Sequence, residues 1–213
     1  MSHQQLYTAL KDIEEFLFLQ ERFSDIFGYL QPLEGYALKK LAEMKQPEGE
    51  IVEIGSFMGK STCWLAAGVV GNTHAKINAV DHFKGSIEHQ AGKACESQVV
   101  AEDGTTLGVF KNNIRKAKLE KCVNPIVGAS EEIAEIWEKP LRLLFIDGDH
   151  SYEGVKKDFE MWSPFIVKSG IIAFHDVTVW NGVTRFYRQL LSANNCYYEI
   201  MRINTLGVIK KII

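Results

Sequence analysis

The chain has 213 residues, 46% of them hydrophobic and 24% charged, and carries a formal net charge of −3. This length suits one large domain, or one domain with an N-terminal extension. The mildly acidic balance argues against nucleic acid or an anionic membrane as a partner. No apolar run reaches the roughly 18 residues of a membrane span. The polar, acidic N-terminus lacks the layout of a signal peptide, so we expect no secretory segment.

The four cysteines, at positions 63, 95, 122 and 196, are far apart and include no Cys-x-x-Cys pair. This pattern is typical of reduced thiols rather than of a disulfide or zinc framework. We therefore expect a cytoplasmic protein.

The first 45 residues show helical periodicity. One amphipathic stretch covers about 6–30, after which Pro32 interrupts the helical pattern. A second stretch places Leu38, Leu41 and Met44 on one face. We predict an N-terminal helical extension over 1–45, followed by a main domain over 46–213. The extension has three candidate roles: a cap on a substrate pocket, a contact with a second copy of the chain in a homodimer, or a cover for the core.

From residue 51 onward, short apolar strands alternate with helices. Strands are predicted at 51–55, 77–81, 124–128, 141–150 and 169–176, with helices at about 60–70, 107–117, 130–139, 155–166 and 183–191. The tail alternates over 196–203 and 205–213 without a helix, which predicts an antiparallel hairpin. The fold class is therefore α/β, with a doubly wound, mostly parallel, seven-stranded sheet and a C-terminal antiparallel hairpin. Residues 84–104 have weak periodicity and are expected to form a lid or a partly ordered loop.

The segment EIGSFMGKST at 53–62 looks like a phosphate-binding loop but is too short for one. Only three residues separate Gly55 from Gly59, whereas that motif needs four before its Gly-Lys pair. Lys60 is then expected to be a solvated residue of the first helical turn. A glycine turn before a helix still lets a ligand approach the backbone closely.

Asp81 ends the second strand, 22 residues after Gly59. An acidic residue at this place accepts hydrogen bonds from a ribose diol, so the glycine loop and Asp81 together indicate a nucleoside site. Phe57 stands where a dinucleotide-binding loop has its second glycine, which disfavours an oxidoreductase.

These residues carry a family resemblance that extends over about 35–213. The pattern Glu53, Gly55, Gly59 and Ser61, then Asp81, then Gly128-Ala129-Ser130 resembles the first motifs of class I S-adenosylmethionine-dependent methyltransferases. The catechol, caffeoyl-CoA and macrolide-sugar O-methyltransferases are the most similar in pattern. The resemblance implies a Rossmann-like fold and these cofactor-binding residues: Glu53, Gly55, Ser56, Gly59, Ser61, Asp81, His82, Ala129, Ser130, Glu131 and Asp147.

The segment FIDGDH places His150 three residues after Asp147. Metal-dependent members of the family have Asp-x-x-Lys at this place, and macrolide-sugar enzymes have Asp-x-x-His. The resemblance implies His150 as the catalytic base, with Asp147, His175 and Asp176 as metal ligands. His175 stands where the family has a carboxylate or amide, so either a softer ion replaces Mg²⁺ or metal binding is weak or absent.

The leading interpretation is an S-adenosylmethionine-dependent methyltransferase that acts on a hydroxyl of a small molecule, such as a sugar, a phenol or a natural-product scaffold, with help from a divalent cation. Two alternatives stay open: a metal-independent methyltransferase, and a cofactor-binding protein of the same fold that transfers no methyl group.

Overall fold

The computed structural model describes residues 2–193 and 196–213. The helices in this part of the chain are α1 (His3–Arg22), α2 (Pro32–Glu43), α3 (Lys60–Ala67), α4 (Gln98–Asp103), α5 (Leu107–Lys116), α6 (Ser130–Glu135), α7 (Tyr152–Trp162) and α8 (Asn181–Ala193). The strands are β1 (Glu50–Ile54), β2 (Ile77–Asp81), β3 (Val123–Val127), β4 (Leu141–Ile146), β5 (Ile166–Phe174), β6 (Tyr197–Ile203) and β7 (Leu206–Lys211).

All of these strands belong to one sheet, in the order β3-β2-β1-β4-β5-β7-β6. The first five pair in parallel. β7 pairs antiparallel with both β5 and β6. The predicted fold class is therefore confirmed. The strand order reverses between β1 and β4, and in such sheets ligands bind in the crevice beyond the carboxyl ends of the strands at this point.

Both faces of the sheet are covered, which explains why its central strands are mostly apolar. Every residue of β4 is buried. Leu143 and Phe145 face a core that includes α1, α2, α3 and α5. Leu144 and Ile146 face a second core that includes α7 and α8. This packing fixes the ends of β1 and β4, from which the candidate site is built.

The N-terminal helices differ from their predicted bounds. α1 ends at Arg22, before the predicted end at residue 30, and Pro32 begins α2 at its first position, where its missing N–H costs nothing. α2 packs on α3 so closely that a Cβ at Gly35 would lie 2.5 Å from the ring of Trp64. α2 therefore reaches the sheet and can contribute to the site.

Residues 84–104 contain more regular secondary structure than predicted. A 3₁₀ turn covers Ile87–His89, and α4 follows after an irregular stretch. His89 and Val100 are buried, so the segment packs against the domain. In the described ranges, no helix combines the length and apolarity that crossing a bilayer requires.

Candidate active site

A cavity of about 540 Å³ lies beyond the carboxyl ends of the parallel strands. It is lined by most of the residues expected to bind a cofactor, namely Gly55, Ser56, Ser61, Asp81, His82, Ala129, Ser130, Glu131 and Asp147. His150, His175 and Asp176 also line it. Glu53 and Gly59 are absent from the lining, so their contribution is to the shape of the glycine loop.

The glycines of this loop are required by backbone geometry. Gly55 has φ +83°, and a Cβ there would lie 2.1 Å from the carbonyl oxygen of Asp147. Gly59 has φ +89°, and its Cβ would meet the ring of Phe110 at 3.0 Å. Both positions therefore need glycine, for conformation and for space.

Glu53 lies beneath the loop and is fully buried. Its carboxylate accepts hydrogen bonds from the hydroxyls of Ser56 at 2.9 Å, Ser61 at 2.5 Å and Thr62 at 2.5 Å. Burial raises its pKa to about 7, against the opposing effect of these donors. Glu53 thus fixes the loop from below.

Asp81 connects the end of β2 to the same loop. Its Oδ2 accepts from the backbone N–H groups of Ser56 at 2.8 Å and Phe57 at 2.7 Å, and its Oδ1 accepts from Phe83 at 2.5 Å. A carboxylate has roughly four acceptor positions, so one stays available for a ligand donor.

The far wall of the cavity comes from the start of α6 and from α7. The Ser130 hydroxyl accepts from the Trp162 indole at 2.9 Å. Glu131 is held by Lys157 at 2.8 Å. His82 is 47% exposed at the rim.

Asp158 also lines this wall, although it is not among the site residues predicted from the sequence. It is buried on α7, and burial raises its pKa to about 6. In the sequence it lies beside Phe159 in an amphipathic helix, where a carboxylate is typical of a solvated face. The sequence therefore gave no signal for a buried acid here.

Asp147, His175 and Asp176 form a compact cluster at the ends of β4 and β5. Atoms suited to binding a metal, one from each residue, all lie within 4.8 Å of one another. His175 Nδ1 is 3.2 Å from Asp147 Oδ1 and 3.5 Å from Asp176 Oδ2. Burial alone would raise the pKa of Asp147, but the charges of His175 and His150 lower it. The two carboxylates and the imidazole could together hold a divalent ion.

Asp176 occupies the left-handed region, with φ +61°. Such a conformation in a residue other than glycine costs on the order of 1 kcal/mol and persists only where the surroundings enforce it. Here the N–H of Val177 donates to the carbonyl of Thr205 at 2.9 Å. The turn of the β6–β7 hairpin therefore helps to direct Asp176 toward the cluster.

Glu34 of α2 lies behind His175 and is completely buried. Its Oε2 is 3.2 Å from His175 Nε2, and its Oε1 accepts from the N–H and hydroxyl of Thr205, each at 2.7 Å. Burial alone would raise the pKa of Glu34, but these donors and the N–H of Gln31 lower it. In the sequence, Glu34 is typical of a helix-capping acid, and it does accept from Gln31 at 2.8 Å. Its contact with His175 could not be predicted from the sequence.

His150 faces the same cluster from the loop after β4. Its Nε2 lies 3.4 Å from Asp176 Oδ2 and 3.7 Å from Asp147 Oδ1. This nitrogen is buried and has no hydrogen-bond partner within the described residues.

The ring stacks on Trp180, with centroids 5.1 Å apart. Burial alone would lower the pKa of His150, but Asp147 and Glu88 raise it to about 10. The cluster thus gathers every residue predicted to be catalytic or metal-binding.

An aromatic wall closes the side of the cavity next to α1 and α2. We use this name for Phe27, Tyr29, Phe57 and His89. The rings of Phe57 and His89 stack at 4.4 Å, and those of Tyr29 and His89 at 6.0 Å. Phe27 lies 5.6 Å from Tyr29 and 6.2 Å from Phe57. This surface suits a planar or sugar ring.

Lys60 anchors the loop that carries part of this wall. Its Nζ donates to the carbonyl of Gly28 at 3.0 Å, and burial lowers its pKa. The expectation that Lys60 is solvated is wrong, because the segment between α1 and α2 lies over it.

Comparison with known proteins agrees with this geometry. A family described as a methyltransferase domain matches residues 52–177. The uncharacterized protein y4gI of Sinorhizobium fredii is 30% identical over 146 residues, which are 66% of this chain and 15% of that protein. The chain therefore corresponds to a small part of that relative.

Two solved structures share the fold. The O-methyltransferase NovP has a TM-score of 0.68 at 14% identity, covering 84% of this chain and 79% of that one. An O-methyltransferase from Bacillus cereus in complex with SAH has a TM-score of 0.62 at 18% identity, covering 95% and 90%. Since the family match covers more than half of the sequence and includes β2 to β5 and the carboxyl end of β1, this chain belongs to the methyltransferase domain family.

Proposed function

We propose that the protein transfers a methyl group from S-adenosylmethionine to a hydroxyl oxygen of a small molecule, such as a sugar, a phenol or a natural-product scaffold. The observation that carries this proposal is the meeting of two sets of residues in one cavity. The glycine loop with Asp81 supplies a nucleoside site, and Asp147, His150 and Asp176 supply acid–base groups beside it. NovP and the Bacillus cereus protein, both described as O-methyltransferases, support the same reaction type.

The proposed cofactor-binding residues fall into groups according to their position in the cavity. We assign Gly55, Ser56 and Ser61 to the methionine part and Asp81 to the ribose. The adenine is assigned to the wall formed by His82, Ala129, Ser130 and Glu131. Glu53 and Gly59 act indirectly by shaping the loop. When bound, S-adenosylmethionine supplies an electrophilic methyl group on a sulfonium, so the protein must mainly position the acceptor and remove its proton.

His150 is assigned the role of proton acceptor. Its Nε2 is buried 3.4 Å from Asp176 Oδ2 and has no hydrogen-bond partner among the described residues. The neutral form of the imidazole, which becomes populated as the pH approaches the raised pKa of about 10, would take the proton of a hydroxyl placed at this nitrogen, while Trp180 holds the ring plane.

Asp147, His175 and Asp176 are proposed to hold a divalent cation. A bound cation would lower the pKa of the acceptor hydroxyl. With Nε2 facing Glu34 and Nδ1 facing both carboxylates, His175 would bind a cation through Nδ1 once that nitrogen has lost its proton, and Glu34 would then orient the ring as carboxylates commonly do for metal-binding histidines. An imidazole ligand favours Mn²⁺, Fe²⁺ or Zn²⁺ over Mg²⁺.

A homodimer through α1 is also proposed. Leu6, Leu10, Ile13 and Leu17 follow one another at spacings of four, three and four residues, and all are more than 40% exposed. In an antiparallel pair of α1 helices, Leu6 would face Leu17 and Leu10 would face Ile13. The stripe is therefore complementary to a second copy of itself.

A cytoplasmic location is proposed as well. Cys63 and Cys95, for example, form no disulfide. Free thiols are typical of a reducing compartment. Fractionation of the cells that make the protein would test the location.

Calorimetry and a methyl-transfer screen test the main proposal. We expect S-adenosylhomocysteine to bind, and we expect turnover with at least one acceptor among catechols, flavonoids, sugars and macrolides when several divalent ions are supplied. NADH serves as the matched competitor. Equal binding of NADH would contradict the cofactor assignment. Binding of S-adenosylhomocysteine without any turnover would favour a binding protein, and activity that EDTA leaves unchanged would favour a metal-independent enzyme.

A further inference from the structure

Glu88, in the segment 84–104, makes a contact that none of the roles above explains. Its Oε1 lies 2.5 Å from Nδ1 of His150, although the two residues are 62 positions apart in the chain. Both side chains are largely buried, with exposed fractions of 14% and 16%. The contact is therefore a shielded carboxylate–imidazole pair at the edge of the cavity.

This contact determines which nitrogen of His150 carries a proton. A neutral imidazole has one N–H donor and one acceptor nitrogen. A carboxylate next to Nδ1 favours the proton on Nδ1, which leaves the Nε2 lone pair free. Nε2 is the buried nitrogen that faces Asp147 and Asp176. Trp180 restricts the plane of the ring, and Glu88 restricts its rotation within that plane.

The backbone around Glu88 is held in place independently of His150. The carbonyl of Glu88 accepts from the N–H of Cys95 at 3.0 Å, and the carbonyl of His89 accepts from Ser97 at 3.0 Å. Val100 packs against Gly85, at whose position a Cβ would lie 2.9 Å away. The 3₁₀ turn that carries Glu88 is therefore held in the cavity wall by these backbone hydrogen bonds and by the packing of Val100.

We propose that Glu88 is the positioning residue for His150, fixing the imidazole in the tautomer whose Nε2 accepts the proton of the acceptor hydroxyl. This inference rests on the proposed methyl transfer. It assigns the segment 84–104 a part in catalysis, because the proton acceptor is correctly oriented only while Glu88 is in place.

Steady-state kinetics of three variants test it. Glu88→Ala should lower kcat by about 10- to 100-fold, by analogy with the loss of a carboxylate that orients a metal-ligating histidine. The KM for S-adenosylmethionine and the affinity for S-adenosylhomocysteine should stay near wild-type values. Glu88→Gln should lose less, because its amide oxygen still accepts from Nδ1–H. Glu96→Gln is the matched control, since Glu96 is an exposed acid of the same segment that accepts only from Gly92 among the described contacts.

Nitrogen-15 NMR of the histidine side chains gives a readout that does not depend on turnover. The Nδ1 proton of His150 should exchange slowly in the wild type and rapidly in Glu88→Ala, while the signals of His175 serve as an internal control. Wild-type kcat in Glu88→Ala, an unchanged Nδ1 signal, or a parallel loss of kcat and cofactor affinity would each overturn the inference. If the wild type transfers no methyl group, the proposed function fails, and the NMR comparison alone decides whether Glu88 orients His150.

Discussion

Glu34 Oε2 lies 3.2 Å from His175 Nε2, although the two residues are 141 positions apart in the chain. The opposite nitrogen of the same ring faces Asp147 and Asp176. A carboxylate from an N-terminal helix therefore orients a side chain at the end of the fifth strand, and α2 belongs to the site as well as to the core.

Glu34→Gln should weaken metal binding about 10- to 100-fold, because the orienting carboxylate loses its charge. S-adenosylhomocysteine should bind as in the wild type, since Glu34 lies behind His175. Calorimetric titration with Mn²⁺ measures the first effect. Glu43→Gln is the control, because Glu43 is a half-exposed acid on the same helix that pairs with lysines. Equal Mn²⁺ affinity in Glu34→Gln and the wild type would contradict the assignment.

Asp81→Ala should reduce the affinity for S-adenosylhomocysteine by at least about 100-fold. The substitution removes the acceptor of two loop N–H groups and the proposed ribose acceptor, and hydrogen bonds to a charged group contribute about 1.5–3 kcal/mol each. Asp103→Ala, an exposed change at the end of α4, should bind normally. Calorimetry compares the three proteins, and near-normal binding by Asp81→Ala would remove the ribose role.

His150→Ala should keep cofactor affinity and lose turnover. The imidazole faces the acidic cluster and is not part of the glycine loop, so its removal deletes the proton acceptor only. A methyl-transfer assay run beside calorimetry separates the two effects. His74→Ala, at an exposed histidine, controls for the loss of an imidazole. A fully active His150→Ala protein would exclude the base role.

Glu53 should make the fold less stable as the pH rises. Its pKa is raised from 4.5 to about 7 in the folded protein, mainly by burial. Between these values the folded state binds more protons than the unfolded state, so the free energy of unfolding falls with increasing pH. This contribution is largest below pH 4.5, declines through the window, and is lost above pH 7.

The slope from Glu53 alone should be about 1.4 kcal/mol per pH unit within that window. Urea unfolding at pH 5, 6, 7 and 8 measures it for the wild type and for Glu53→Gln, which stays neutral at every pH. The difference between the two curves should shrink as the pH falls toward 5. A difference that is the same at every pH would show that Glu53 does not titrate as described.

Replacing Leu10 and Ile13 by glutamate should convert a dimer to a monomer. The two side chains lie at the centre of the proposed antiparallel pairing and are 56% and 54% exposed. Light scattering coupled to size exclusion measures the mass. The control is Gln4→Glu with Thr8→Glu, which places the same charge away from the stripe. A monomeric wild-type protein would contradict the proposed homodimer.

The sequence predicted the sheet well because its signals are local. The predicted strands at 51–55, 77–81 and 141–150 cover most or all of β1, β2 and β4, although the last extends past the observed end of β4 at Ile146. An acidic residue ends β2 and another directly follows β4. That arrangement was sufficient to bring Asp81, Asp147, His150 and Asp176 to one crevice. Helix ends were less well predicted, as α1 illustrates: Phe23 and Ile26 continue its apolar pattern after the helix has ended, and both are buried.

The residues that support the site could not be predicted, because their roles depend on distant parts of the chain. Glu34 is typical of a helix cap, Asp158 of a solvated face, and Glu88 lies in a segment without clear periodicity. Lys60 was expected in solvent because nothing local indicates that the segment after α1 covers it. In each case the deciding contact is made with another element of the fold.

Gly55 links the two sets of residues that make up the cavity. Its missing side chain allows the ends of β1 and β4 to approach until the space for one methyl group is filled by the carbonyl of Asp147. A single added carbon at this position would push the glycine loop away from the acid–imidazole cluster. The spacing between the two sets of residues therefore depends on the absence of a side chain at Gly55.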